Sequence, residues 1–236
     1  MTQPGTLYGV GVGPGDPELM TVKAWRLIST SPVIAYLAAN GGASTARDIA
    51  KPFLPEDAIE LAIDMPMRIE RQPGEEAYDK GASAIAAHLS AGRNVVMLCE
   101  GDPFFYGSFM YIFARLAKRY ETIVVPGVSS LAAASARLRR PLAARDEVLK
   151  VLPATLARER LRQELAGVES AAIIKVGRHF GKVRDVLSEL VLTAKSVVIE
   201  KATQDEERIA NVADVVGDTL PYFTTILVYA GNETWP

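Results

Sequence analysis

Two carboxylates and a glycine follow a short apolar run near the middle of the chain. The run is Val95–Cys99, and the polar break after it reads EGDP, residues 100–103. A short Val-rich run that ends at a Gly/Pro break is typical of a strand buried on both faces. Ligands bind beyond the carboxyl ends of strands in open parallel sheets. The break is therefore a candidate binding loop, although Gly-Asp-Pro also makes an ordinary turn.

A second candidate loop lies near the N-terminus. Residues 6–12 are predicted to form a strand, and a glycine-rich loop follows that ends at Asp16. Such a loop can hold a phosphate on the free backbone N–H groups of a helix start. It is not a P-loop, because no Gly-Lys-Ser/Thr follows. It fits the dinucleotide pattern GxGxxG only loosely, since Asp16 stands at the third glycine position and its carboxylate would repel a pyrophosphate.

The elements that position these loops alternate between strand and helix. Asp16 is a good helix N-cap, and a helix is predicted from there to about Ser29. Further helices are predicted over residues 75–91 and 107–120, and residues 64–74 are expected to form a surface excursion. The apolar stripe of the first helix is Leu19, Val22, Trp25 and Ile28, and that of the helix over 107–120 is Met110, Phe113 and Leu116.

The pattern of predicted strands and helices changes after about Arg139, and this change indicates a second α/β domain with a mixed sheet. The first domain is expected to have a mostly parallel sheet with helices on both faces, because its strands and helices alternate. The boundary is placed between residues 127 and 128. In the second domain, strands are predicted at 147–152, 171–176, 196–201 and 224–229, and helices at 156–166 and 183–190.

Composition excludes several classes of protein. The chain has 236 residues, is 49% hydrophobic and carries a net charge of −2, so no overall basic excess points to nucleic acid or an anionic membrane. No signal peptide or membrane span is apparent. One cysteine, Cys99, and two histidines leave little for a soft-ligand metal site, and the lone cysteine suits a reducing cytoplasm.

Three loops at strand ends, residues 11–16, 100–103 and 126–130, resemble in order and spacing those of the tetrapyrrole methylases. These are the S-adenosylmethionine-dependent enzymes of cobalamin and sirohaem synthesis. The first signature is VGVGPG (10–15) with LMTVKA (19–24), and the second runs from Val95 to Gly127. Within the family, CEGDPFFYGSFMYIF (99–113) is most similar to the branch that methylates C-20 of precorrin-2.

The resemblance implies a two-domain α/β enzyme that binds S-adenosylmethionine folded in the cleft between the domains and forms a homodimer. The N-terminal domain would carry the methylase loops, and residues 128–236 would complete the donor site. Thr224 is an alternative to Thr225 as a donor contact. Carried over by position, the donor contacts are Pro14, Glu100, Gly101, Asp102, Ser129, Ser130, Val176, Ala202 and Thr225.

The chemistry that the resemblance implies is methylation of an electron-rich meso carbon, which depends mostly on alignment and exclusion of water. The carbon must then lose a proton, and Asp102, Glu100 and Tyr106 all remain candidate acceptors, so no catalytic residue is assigned. Phe104 and Phe105 either line the tetrapyrrole trough or pack in the core. Candidate partners for the substrate's carboxylates are Arg137, Arg139, Arg140, Arg145 and Arg178.

Other functions stay open. Within the family, the substrate can be the cobalt-containing form of precorrin-2, or another ring carbon can be methylated. A relative acts on ribosomal RNA, and the net charge of −2 counts against that branch. Outside the family, a dinucleotide-binding reductase would want an acidic residue after the second strand, where LAANGG (37–42) has none. A non-catalytic tetrapyrrole-binding protein would not need the methyl donor.

Overall fold

The computed structural model describes residues 3–39, 42–66 and 71–231, with the side chains of residues 71–73 excepted. The chain divides into two compact units, Met1–Ser129 and Ser130–Pro236. Parts of two predicted loops, residues 40–41 and 67–70, lie outside the described residues.

The N-terminal unit contains a five-stranded, all-parallel sheet in the order β3-β2-β4-β1-β5. Its central strand β4 is buried at all five positions, as the apolar run predicts. Met97 faces α3 and α4, while Val96 and Leu98 face α1 and α2, so helices cover both faces. The elements are β1 Leu7–Gly11, α1 Val22–Ile28, β2 Val33–Ala39, α2 Thr45–Ala50, β3 Ile59–Met65, α3 Arg71–Ser90, β4 Val95–Cys99, α4 Phe109–Leu116 and β5 Thr122–Val125.

The C-terminal unit contains a mixed five-stranded sheet in the order β6-β7-β10-β8-β9. Strands β6 and β7 run parallel, whereas β10 runs antiparallel to both β7 and β8. Helices α6 and α7 pack on one face and α5 on the other. The elements are α5 Ser130–Leu138, β6 Leu149–Pro153, α6 Arg158–Leu165, β7 Ser170–Ile174, α7 Phe180–Glu189, β8 Ser196–Glu200, β9 Arg208–Asn211 and β10 Thr224–Tyr229.

The prediction for the first helix was wrong in its continuity and its buried face. Asp16 caps as predicted, but it caps a short 3-10 helix, Pro17–Leu19. A new helix, α1, then begins with Thr21 as its own N-cap, and this break changes the helical phase. As a result Val22 is 75% exposed and Trp25 is 46% exposed, and the buried residues of α1 are Ala24 and Ile28.

Three other boundaries differ from the sequence prediction. Helix α3 begins at Arg71, within the expected surface excursion, and β3 reaches Met65. Helix α4 is shorter than predicted, and Met110 lies outside its buried stripe of Phe109, Ile112 and Leu116. Strand β9 was not predicted, because four mostly exposed residues at a sheet edge carry no alternating apolar pattern.

Candidate functional site

Three glycines bring the three N-terminal loops together at the carboxyl end of the parallel sheet. A Cβ atom built on Gly127 would lie 2.0 Å from the carbonyl oxygen of Gly101, and one built on Gly11 would lie 2.5 Å from the same oxygen. Gly101 also donates its N–H to the oxygen of Gly13 at 2.8 Å. Only glycine permits backbones to approach this closely. The three loops therefore meet at this end of the sheet.

Asp102 ties the second loop to the third. Its Oδ1 accepts the backbone N–H groups of Phe104 at 2.9 Å and Phe105 at 3.0 Å, and its Oδ2 accepts that of Gly127 at 3.0 Å. The resemblance implied that this residue contacts the methyl donor. In the structure its first task is to hold two loops in register, and contact with the donor remains a prediction.

Glu100 is a half-buried carboxyl directly after the end of β4. The side chains of β4 alternate between the two faces, so Glu100 follows Val96 and Leu98 toward α2. There its Oε1 accepts the N–H of Ala46, in the first turn of α2, at 3.3 Å. Glu100 forms no ion pair with the described residues. Burial raises the pKa of the Glu100 carboxyl, and backbone N–H groups, including that of Ala46, oppose the shift.

Cys99, the last residue of β4, is buried and is a free thiol. Burial raises its pKa well above the usual value, and the neighbouring carboxylates of Glu100 and Asp102 add to the shift. A thiol held in its protonated form is a poor nucleophile. Cys99 is therefore a small buried side chain rather than a nucleophile.

The aromatic residues after the second loop are half exposed. Phe104 is 46% exposed and Phe105 is 40% exposed, so neither is a core residue of the N-terminal unit. The Phe104 ring nevertheless stands edge-on to Phe113, at 5.2 Å between centroids. Pro14 and Ser129, the donor contacts expected from the first and third loops, are both partly buried.

In the C-terminal unit, the expected donor contacts collect at one end of the mixed sheet. Because β10 runs antiparallel to β7 and β8, its first residues lie beside the ends of those strands. Thr225 pairs with Ile199, and Lys201, next to Ala202, donates its N–H to the oxygen of Phe223 at 2.7 Å. Val176 follows β7 at the same end. Ser130 is the first residue of α5.

The side chains of these residues do not share a face. Val176 is fully buried in the cluster that packs against α6 and α7. Ala202 is buried in the cluster on the α5 side, and Thr225 alternates onto that side with Leu227. Val176 therefore offers a ligand only its backbone. Thr224, the alternative to Thr225, points the other way and donates its hydroxyl to the oxygen of Pro221 at 2.8 Å.

Of the five candidate arginines, at least two are already engaged. Arg137 forms an ion pair with Glu207 at 2.7 Å, and the Arg140 guanidinium lies 3.9 Å from the centroid of the Tyr229 ring. Arg139, Arg145 and Arg178 are exposed. The described residues contain no group of three or more His, Cys, Asp or Glu side chains that could hold a metal ion. Within the same described residues, no helix is long and apolar enough to cross a membrane.

One protein family shares these features of fold and loops. The sequence model of the Tetrapyrrole (Corrin/Porphyrin) Methylases matches residues 6–215. The chain belongs to this family. The resemblance seen in the three loops is thereby confirmed.

Relatives across nearly the whole chain carry more particular names. The chain is 43% identical over 99% of its length to the cobalamin biosynthesis protein CobIJ of Mycobacterium tuberculosis, and it spans 47% of that protein, about half. It is 39% identical to the precorrin-2 C(20)-methyltransferase of Sinorhizobium sp, over 95% of both chains. It is 30% identical to the cobalt-precorrin-2 C(20)-methyltransferase of Salmonella typhimurium, over 98% of both.

Solved structures share the fold. A uroporphyrin-III C-methyl transferase from Thermus thermophilus, complexed with S-adenyl homocysteine, is 26% identical with a TM-score of 0.70, over 95% of this chain and 97% of that one. A cobalt precorrin-4 methyltransferase has a TM-score of 0.75 at 22% identity, over 95% of this chain and 94% of that one, and bears on the fold alone. The expected combination of a parallel and a mixed α/β sheet is confirmed.

Proposed function

We propose that this protein is an S-adenosylmethionine-dependent methyltransferase that methylates C-20 of precorrin-2, giving precorrin-3A in cobalamin biosynthesis. The observation that carries the proposal is the 39% identity over 95% of both chains to the Sinorhizobium enzyme of that name. The meeting of three loops at Gly11, Gly101 and Gly127 supports it, because it leaves backbone groups at the strand ends where ligands of such sheets bind.

The residues of the chain fit a nucleoside methyl donor. Glycine-rich backbone can approach a ribose or an amino-acid moiety closely. Gly13 and Gly101 both have positive φ, a backbone conformation that residues with a side chain rarely adopt. We propose donor contacts through Pro14, the backbone of residues 100–102, and Ser129 in the N-terminal domain. Residues 128–236 complete the donor site, with contacts at Ser130, Val176, Ala202 and Thr225. S-adenosylmethionine supplies an electrophilic methyl group when bound.

The task of these residues is to align the donor with the nucleophilic carbon and to exclude water. A carboxylate in contact with the sulfonium would stabilise the reactant more than the transition state, because the positive charge on sulfur is lost on transfer. The arrangement around Asp102 is consistent with this, since all three of its hydrogen bonds run to backbone N–H groups of the loops.

One competing function within the family is methylation of the cobalt-containing substrate. The Salmonella relative is named for that form and is 30% identical over 98% of both chains. The lower identity favours the metal-free substrate. Methylation at another ring carbon is a weaker alternative, because both of these full-length relatives are named for C-20.

A competing function of another class is dinucleotide-dependent reduction. The Asp16 carboxylate accepts the N–H of Glu18 at 2.8 Å, at the position where a pyrophosphate would need a glycine. This capping carboxylate disfavours the reductase. A tetrapyrrole-binding protein without activity would bind the macrocycle whether or not the donor is present.

One set of incubations tests the proposal. The protein is mixed with methyl-labelled S-adenosylmethionine and either precorrin-2 or cobalt-precorrin-2, and the product is examined by NMR. We expect label on C-20, formed faster from precorrin-2. Label on another carbon would contradict the assigned position, and faster turnover of the cobalt form would reverse the choice of substrate. No transfer from either would exclude the methyltransferase.

We also propose a cytoplasmic homodimer that does not bind nucleic acid. The single cysteine suits a reducing compartment, and the net charge of −2 gives no overall attraction for a polyanion. Light scattering after size exclusion measures the mass of the assembly. A monomeric mass, or retention on nucleic acid at physiological salt, would contradict these points.

A further inference from the structure

We propose that Glu100 accepts the proton that C-20 loses after methyl transfer. This inference rests on the proposed function and selects one residue among the three that the sequence left open. Its basis is the contrast between two neighbouring carboxyl groups. Both oxygens of Asp102 accept N–H groups of the loop backbone, whereas Glu100, half-buried after the end of β4, is contacted by the N–H of Ala46 at 3.3 Å and by its own backbone N–H.

The proton has to go to the protein or to water once the new bond exists. C-20 forms a bond to the methyl carbon while the methyl–sulfur bond breaks and its electron pair stays on sulfur. The macrocycle takes over the positive charge. The C-20–H bond then breaks, its electron pair restores the neutral conjugated system, and the proton passes to the Glu100 carboxylate and later to solvent. Donor and macrocycle thus yield a thioether, a methylated macrocycle and one proton.

Asp102 is a poor acceptor for geometric reasons. Both lone pairs of its Oδ1 are used by the N–H groups of Phe104 and Phe105, and its Oδ2 accepts that of Gly127. A proton arriving on this carboxylate would compete with the contacts that hold the second and third loops together. The oxygens that fix the loops are therefore already used by backbone N–H groups and are poorly placed to act as the base.

The other titratable groups near the loops are also unsuited. Tyr106 is 42% exposed and carries a phenol, whose hydroxyl oxygen is a weaker proton acceptor than a carboxylate. Asp16 caps the 3-10 helix through the N–H of Glu18. Cys99 is buried in the core beneath the loops and is held as a thiol. Among the described carboxyls of the three loops, Glu100 keeps the most capacity to accept a proton.

The surroundings of Glu100 suit a base. A buried carboxyl without a cationic partner is costly to maintain, and such groups concentrate at functional sites. The contact with Ala46 positions the carboxyl through Oε1, and within the described part of the chain no cationic side chain pairs with it. Burial raises the pKa of Glu100 toward the working pH, where a carboxylate is a more effective base, and no charged side chain of the described residues opposes this.

The test compares Glu100→Gln with the wild type and with Glu56→Gln. Glutamine keeps an oxygen for the N–H of Ala46 but accepts no proton. Glu56 is exposed, so its variant applies the same chemical change away from the loops. We expect Glu100→Gln to lower kcat by about 100-fold or more, which is typical of losing a general base. The affinity for S-adenosylmethionine, by calorimetry, stays within about twofold of wild type, because proton acceptance is separate from donor binding.

The pH profile provides a second readout. Wild-type kcat should fall at acidic pH as Glu100 becomes protonated, and Glu100→Gln should lose this limb. Glu100→Asp withdraws the carboxylate by one methylene and should keep the limb at an intermediate rate. With substrate deuterated at C-20, the isotope effect on kcat should increase in Glu100→Gln, because proton loss becomes the slow step.

The outcomes separate this inference from the proposed function. If the wild type methylates C-20 but Glu100→Gln retains kcat within about threefold and keeps the acidic limb, Glu100 is not the acceptor and the function stands. Parallel loss of donor affinity and kcat would make Glu100 a binding residue and overturn the inference. If the wild type transfers no methyl group, the proposed function and the role of Glu100 are both contradicted.

Discussion

The Oδ2 atom of Asp102 accepts the N–H of Gly127 at 3.0 Å, and this contact joins two loops that are 25 residues apart in the chain. The same carboxylate holds the turn that follows it through Phe104 and Phe105. At the same place a Cβ atom on Gly127 would overlap the oxygen of Gly101. The candidate site of the N-terminal unit is therefore built from backbone, with one side chain that fastens it.

Replacing Asp102 by Ala should affect both stability and donor binding. Three backbone N–H groups lose their acceptor, so we expect a cost of about 1–2 kcal/mol in the free energy of unfolding. Donor affinity should fall as well, because the loops lose their register. Urea denaturation and calorimetry measure the two effects, and Asp57→Ala, at an exposed turn, is the control. Unchanged stability would mean that the Gly127 contact contributes nothing.

Adding one methyl group at Gly127 should be far more damaging than adding it elsewhere. In Gly127→Ala the new Cβ would lie 2.0 Å from the Gly101 oxygen, and we expect a loss of about 3 kcal/mol, at the upper end for overpacking. Gly74→Ala makes the same change within α3, where the nearest atom is 3.9 Å away. That variant should gain about 0.5–1 kcal/mol from helix propensity. Equal effects in chemical denaturation would contradict the close packing of the loops.

Glu100→Gln should stabilise the fold at neutral pH while it impairs turnover. Burial raises the pKa of the Glu100 carboxyl in the folded state, which means that folding favours its protonated form. The free energy of unfolding is therefore higher at acidic pH and falls as the pH rises through the folded-state pKa. Glutamine carries no charge and avoids this loss. Urea denaturation over about pH 4 to 8 should show a variant more stable than wild type at the upper end, with the difference shrinking toward acid. A constant difference would argue against a titrating Glu100.

Tyr229→Phe should be neutral or stabilising. The buried hydroxyl of Tyr229 has no hydrogen-bond partner among the described residues, so its removal leaves no new unsatisfied group and should gain up to about 1 kcal/mol. Burial raises the pKa of Tyr229 from 10.0 to about 12. The wild type should therefore lose stability as the pH rises from 10.0 to about 12, and the variant should lose less. Destabilisation at neutral pH would reveal a partner for the hydroxyl.

The sequence alone determined much of the first unit. An unbroken apolar run such as Val95–Cys99 can only be satisfied inside a sheet covered on both sides, and the structure buries all five residues. The glycines of the three loops were recognisable from their order and spacing, because a close backbone approach admits no other residue. Strand β9 was not predicted, because it is defined by its pairing with β8 and has no apolar pattern of its own. The predicted apolar stripe of the first helix was wrong, because Thr21 caps a new helix whose residues point in different directions from those of one continuous helix.

Tertiary structure decided what each polar side chain of the loops does. Glu100 and Asp102 are two residues apart, and the sequence offered both as donor contacts and as proton acceptors. Their difference comes from partners distant in the chain: the N–H of Gly127 binds Asp102, whereas the N–H of Ala46 contacts the half-buried Glu100. In the same way the packing of α7 encloses Val176 and leaves only its backbone available. Local sequence specifies strands, turns and glycines, but hydrogen-bond partners and desolvation depend on residues that only folding brings together.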